Sequence, residues 1–81
     1  EGHLNTLGLQ LVFNPKTSDQ GIQVFLLGTK LYPNSANLYD SLAEGYLFVG
    51  NDKKAIESFE RSLELNPQNQ NAISRLEQLK K

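Results

Sequence analysis

Eighty-one residues bound the chain to one small domain, and a core of that size rarely contributes more than about 3–5 kcal/mol without help. Eight basic against nine acidic residues, a formal net charge of -1, leave no field of one sign to steer nucleic acid or an anionic membrane. The lack of cysteine excludes disulfides and thiolate metal sites but does not separate cytoplasm from periplasm.

No apolar run approaches the roughly 20 residues of a membrane-spanning helix, and the amino end lacks the basic-then-apolar plan of a signal peptide. A chain that starts at Glu1 and contains no methionine is expected to be a piece of something longer.

In residues 3–13, HLNTLGLQLVF, the apolar residues Leu4, Leu7, Leu11 and Val12 recur at helical spacing and predict a first helix. Asn14-Pro15 stops it, because a residue before proline is pushed out of the α region and proline cannot donate to the helix ladder. Ser18 or Asp19 then offers a capping oxygen to a second helix, which runs through Gly21, Ile22 and Phe25 toward Leu31 before Tyr32-Pro33 ends it. The run Val24-Phe25-Leu26-Leu27 is apolar on more than one face, so a strand competes there; length and flanking caps favour helix.

Asn34 or Ser35 caps a third helix with the stripe Leu38, Leu42, Gly45, Tyr46 and Val49, flanked by Tyr39 and Ala43. Gly50 stands where a left-handed C-terminal cap is wanted. Asn51 or Asp52 starts a fourth helix, with Ala55, Ile56, Phe59 and Leu63 inside and Lys53, Lys54, Glu57, Glu60, Arg61 and Glu64 outside. Lys53 with Glu57 and Glu57 with Arg61 are oppositely charged pairs at i, i+4. Asn66-Pro67 ends this helix, and a last one from about Asn69 carries Ala72, Ile73, Leu76 and Leu79 on one side. Asn71, Ser74, Arg75, Glu77, Gln78, Lys80 and Lys81 on its other side make it a solvating cap.

The most specific signal is an internal period. Gly21 and Ala55, Phe25 and Phe59, Gly28 and Ser62, and Pro33 and Pro67 stand 34 residues apart. In the first helix of each pair the spacing is 35, as in Leu4 and Tyr39, Leu7 and Leu42, Gly8 and Ala43, Leu11 and Tyr46. One extra residue in the turn NPKTS accounts for the difference. These residues resemble the tetratricopeptide repeat (TPR) family: Tyr39, Leu42, Ala43, Tyr46, Ala55, Phe59, Ser62 and Pro67 meet its pattern nearly in full. Leu4, Leu7, Gly8, Leu11, Gly21, Phe25, Gly28 and Pro33 match in kind without the large aromatics, and Ile73 and Leu76 would open a truncated third copy. The resemblance implies an all-α, right-handed α-α superhelix of two hairpins plus a capping helix, with a degenerate repeat over 1–34, a full repeat over 35–68 and the cap over 69–81.

Reaction chemistry is not expected. His3 is the only histidine and stands where chain ends fray. Glu57, Glu60 and Glu64 alternate with Lys and Arg as a solvated face does. The glycines never form a phosphate-cradling loop between a strand and a helix. No catalytic residue, cofactor or metal ligand is assigned.

Binding is the use that the resemblance implies, on a concave surface lined by the first helix of each pair. The corresponding positions are Asn5, Leu9 and Val12, then Asn37, Asp40, Glu44 and Leu47, then Asn71, Ser74 and Gln78, an apolar and acidic strip for a peptide or protein segment. The alternative for Leu9, Val12 and Leu47 is plain packing between helices. The basic and amide pattern with which some TPR proteins grip a chaperone's carboxylate tail is matched only near Asn5 and Arg75, and Asp40 and Glu44 would repel such a tail. Asp40→Lys with Glu44→Lys is therefore expected to change partner affinity with little change in stability.

The apolar surplus of Leu9, Phe13, Val24 and Leu27 in the first hairpin suggests docking on a preceding domain or pairing with a second copy. The stretches LNTLG and YPNSANLYDSLAEGY are also similar to TPR segments at the carboxyl end of bacterial serine hydrolases of the β-lactamase-like and α/β-hydrolase kinds. That likeness implies a structural appendage of a larger enzyme whose catalytic residues lie outside these 81.

Overall fold

The computed structural model describes residues 2–81. They form five helices, α1 Gly2–Val12, α2 Ser18–Leu31, α3 Ala36–Phe48, α4 Asp52–Leu65 and α5 Gln70–Leu79, with no strand among the described residues. The run Val24-Phe25-Leu26-Leu27 lies within α2, where Phe25 is buried while Leu26 and Leu27 are exposed, so its broad apolarity is not matched by burial on every side.

The expected stops act as read. At Asn14-Pro15 the chain leaves α1, and the Asn14 side chain accepts from the Lys16 amide at 2.9 Å. After α3, Gly50 takes φ of 82°, the one positive φ among the described residues. The Gly50 amide reaches the Leu47 carbonyl and the Asn51 amide the Tyr46 carbonyl, the two bonds of a Schellman cap.

Ser35, Asn51 and Asn69 cap α3, α4 and α5 by accepting from the amides of Leu38, Lys54 and Ala72. The cap of α2 differs from expectation. Its capping residue is Thr17, whose hydroxyl donates to the Leu11 carbonyl at 2.6 Å and so ties the turn to the end of α1. Ser18 is already helical and buried.

The helix boundaries recur with the sequence period. Both α2 and α4 are 14 residues long and begin 34 residues apart, at Ser18 and Asp52. Their C-terminal caps, Tyr32 and Asn66, donate to equivalent carbonyls, Gly28 and Ser62. Two core clusters repeat likewise: Phe25 with Val12, Ile22, Leu38 and Leu42, and Phe59 with Ala43, Ala55, Ala72 and Leu76. Both phenylalanines are 0% exposed, and the half-buried Tyr46 packs on both clusters and joins them.

Successive helices pack in chain order, and α1 also touches α3. The thin dimension of 16 Å fits two helix layers at the usual spacing of about 8–10 Å. Side-chain bonds run from α1 to α3 and from α3 to α5, linking these three helices as one layer, and Tyr39 and Tyr46 of α3 lie against residues of α2 and α4.

Leu7, expected to face inward, is 45% exposed. The contact line of α1 runs through Gly8 and Val12, because the Phe25 ring lies against the bare Gly8 backbone. Leu7 sits about 100° further round the helix. The i, i+4 pairs expected on α4 do not form; Arg61 approaches Glu64 at 3.7 Å and leans over the Tyr39 ring.

Candidate interaction surface

The outer face of the α1, α3 and α5 layer is built from helical spacing on α3. Asn37, Asp40 and Glu44 follow one another at i, i+3 and i+7, a quarter-turn or more away from the buried stripe Leu38, Leu42 and Gly45. This orientation sends the acids toward α5. Asp40 accepts from Asn69 Nδ2 at 2.7 Å and from Asn71 Nδ2 at 2.9 and 3.1 Å. Glu44 takes a two-point bond from the Arg75 guanidinium, at 2.9 Å to Nε and 3.2 Å to Nη2, and another from Asn71 at 3.0 Å.

The two carboxylates thus join α3 to α5, and their charge is partly answered within the chain. Charge-assisted and bidentate bonds of this kind are the stronger class, although the Arg75 side chain is 42% exposed and solvent screens its share. The little change in stability expected on reversing both acids has these bonds between α3 and α5 to set against it. Asp40→Ala with Glu44→Ala should lower stability by about 1 kcal/mol. The loss should appear in hydrogen exchange as faster opening of α5 relative to α2.

The remaining expected residues divide into four kinds. Val12 is 0% exposed and sits in the Phe25 cluster, so it offers nothing to a ligand; the turn of α1 that carries it is pressed onto α2 and α3. Leu9 and Leu47 are half-buried and pack against the two clusters, leaving only an edge to solvent. Asn5 accepts from the Ser41 hydroxyl and ties α1 to α3. Asn37, Asn71, Ser74 and Gln78 are exposed, and of these only Asn71 is engaged, with Asp40 and Glu44.

Phe13 was expected to be available for docking, but its pairing with Phe48 was not foreseen. Phe13 and Phe48 meet edge to face with centroids 5.6 Å apart, and they remain 48% and 42% exposed. Their positions differ by 35 residues, the spacing already seen for the first helix of each pair. That coincidence was the available signal.

On the opposite face, Tyr39 and Tyr46 of α3 emerge between α2 and α4, with Arg61 over one ring and Lys54 over the other. No group of three or more His, Cys, Asp or Glu side chains is arranged to hold a metal among the described residues, and no helix is long and apolar enough to cross a membrane. No protein-family model matches the chain, and no curated protein matches it. The class defined by the fold is an all-α one, with five helices and no strand among the described residues.

Proposed function

We propose that this chain is a non-catalytic interaction module of the tetratricopeptide kind, a right-handed superhelix of two hairpins plus the capping helix α5. In this reading it takes a peptide or protein segment on the concave face of α1, α3 and α5. The observation that carries the reading is the composition of that face, where Asn37, Ser74 and Gln78 stand exposed beside the half-exposed Phe13–Phe48 pair. A carboxamide both donates and accepts, which suits a peptide main chain, and an aromatic edge supplies apolar contact area. With Glu44 held by Arg75, the strip presents less repulsion to an acidic segment than its sequence implies.

The test is a peptide selected from a random library against the intact chain. Asn37→Ala with Gln78→Ala should weaken its binding about tenfold and leave the melting temperature unchanged, since both residues are exposed. Equal affinity for the double variant would overturn the assignment.

A second reading rests on the exposed leucines of the first hairpin. Leu7, Leu27 and Leu31 are 45%, 50% and 59% exposed, and this apolar face suits a neighbouring domain of a larger protein or a second copy of the chain. Sedimentation over a range of concentrations separates the two occupants. A concentration-dependent dimer that Leu27→Lys abolishes supports pairing, and a monomer at high concentration excludes it.

A further inference from the structure

The groove between α2 and α4 has a different chemistry from the α1, α3 and α5 face. Two adjoining cavities, of about 530 and 510 Å³, share Gln23 and Leu26 of α2 and continue into each other along that helix. The floor is aromatic. Tyr39 lies in one cavity and Tyr46 in the other, separated by seven residues of α3 and hence by about 10 Å, two helical turns.

Along the α4 wall two cations repeat the same seven-residue step in the opposite direction. Lys54 Nζ lies 5.9 Å from the Tyr46 ring centre and Arg61 Cζ lies 5.6 Å from that of Tyr39. The α2 wall adds the apolar Leu26 and Leu27 and a third cation, Lys30. Among the described residues no carboxylate pairs with Lys30 or Lys54, and Arg61 has only the distant Glu64. Asp19, at the far end, is the one acid in the lining.

A cation held over a tyrosine ring keeps its full charge while losing conformational freedom. The groove therefore presents preorganised positive charge at two points of its α4 wall, two helical turns apart, over an apolar and aromatic floor. This local charge is opposite in sign to the chain's net charge of -1.

We propose that the groove between α2 and α4 binds an acidic amphipathic helical segment of a partner protein. Apolar side chains of the ligand lie on Leu26, Leu27 and the two tyrosines. Carboxylates seven residues apart in the ligand meet Lys54 at one end and Arg61 with Lys30 at the other. The charge pattern sets the sign of the ligand, and the seven-residue step sets its conformation. Because the floor is recessed between two helices, it suits inserted side chains and not the flat surface of an anionic bilayer.

The probe is a fluorescein-labelled peptide of about four helical turns, with glutamates at i and i+7 and leucines between them. A matching peptide carries lysine in place of each glutamate. Fluorescence anisotropy with the intact chain should show binding of the acidic peptide that weakens as salt rises and little binding of the lysine peptide. Lys30→Glu with Lys54→Glu should reduce the acidic peptide's affinity about tenfold. Both lysines are exposed, so circular dichroism should show an unchanged fold.

Amide shifts on titration should centre on Leu26, Tyr39, Tyr46 and Lys54. Equal binding of the two peptides, an unchanged affinity in the double variant, shifts centred on Asn37 and Gln78, or no binding of the acidic peptide would each overturn the proposal. So would binding to vesicles of phosphatidylcholine with phosphatidylserine in place of the peptide.

Discussion

Phe59→Ala is expected to lower the free energy of unfolding by about 3–5 kcal/mol, enough to leave much of a chain this small unfolded at room temperature. Phe59 is 0% exposed, and its neighbours Ala43, Ala55 and Ala72 are small residues on three different helices. These alanines are too short to fill the vacated space, and Leu76 with the flanking Leu47, Ile56 and Leu63 can close on it only in part, so a cavity remains. Urea unfolding followed by circular dichroism measures it. A loss below about 1 kcal/mol would mean that the second cluster is not a core.

Gly21→Ala should also destabilise, by about 1–3 kcal/mol, although alanine is intrinsically the better helix former by about 1 kcal/mol. A methyl group at Gly21 would lie 2.5 Å from the Val12 amide nitrogen and 2.7 Å from its Cα, so α1 itself has to move. Gly28, on the same helix, provides the control. There the added methyl group meets the Leu38 side chain at 3.2 Å and no backbone, so a shift of a few tenths of an ångström in one side chain suffices. Gly28→Ala should therefore stay within about 1 kcal/mol of the parent. Equal effects at the two glycines would show that backbone contact between α1 and α2 is not what limits position 21.

Much of the helical plan is legible in the residues because its punctuation is local. Asn14-Pro15, Tyr32-Pro33, Gly50 and Asn66-Pro67 act through the backbone of their immediate neighbours, and each helix ends within a residue or two of where they stand. The period is legible for a related reason. Residues 34 apart repeat the same contacts, so Phe25 and Phe59 centre equivalent clusters.

What escapes the sequence depends on which partner a side chain meets. Ser18 and Asp19, the expected caps of α2, lie inside the helix, because Thr17 takes the cap position and its hydroxyl donates to the Leu11 carbonyl six residues back. Leu7 fits the helical stripe as well as Gly8 does, but the Phe25 ring selects the position with no side chain. Helical spacing puts Asp40 and Glu44 on one face, while the lateral register of α3 against α5 decides that Asn69, Asn71 and Arg75 reach them. The tyrosine and cation ladder depends in the same way on α3 lying antiparallel to α4.

The interaction face is tested most directly by mapping a library-selected peptide onto the intact chain through amide chemical shifts. The expected result is perturbation centred on Asn37, Phe48, Ser74 and Gln78, spanning α3 and α5, with α2 quiet. Shifts confined to the leucines of α1 and α2, or to the groove between α2 and α4, would contradict that assignment.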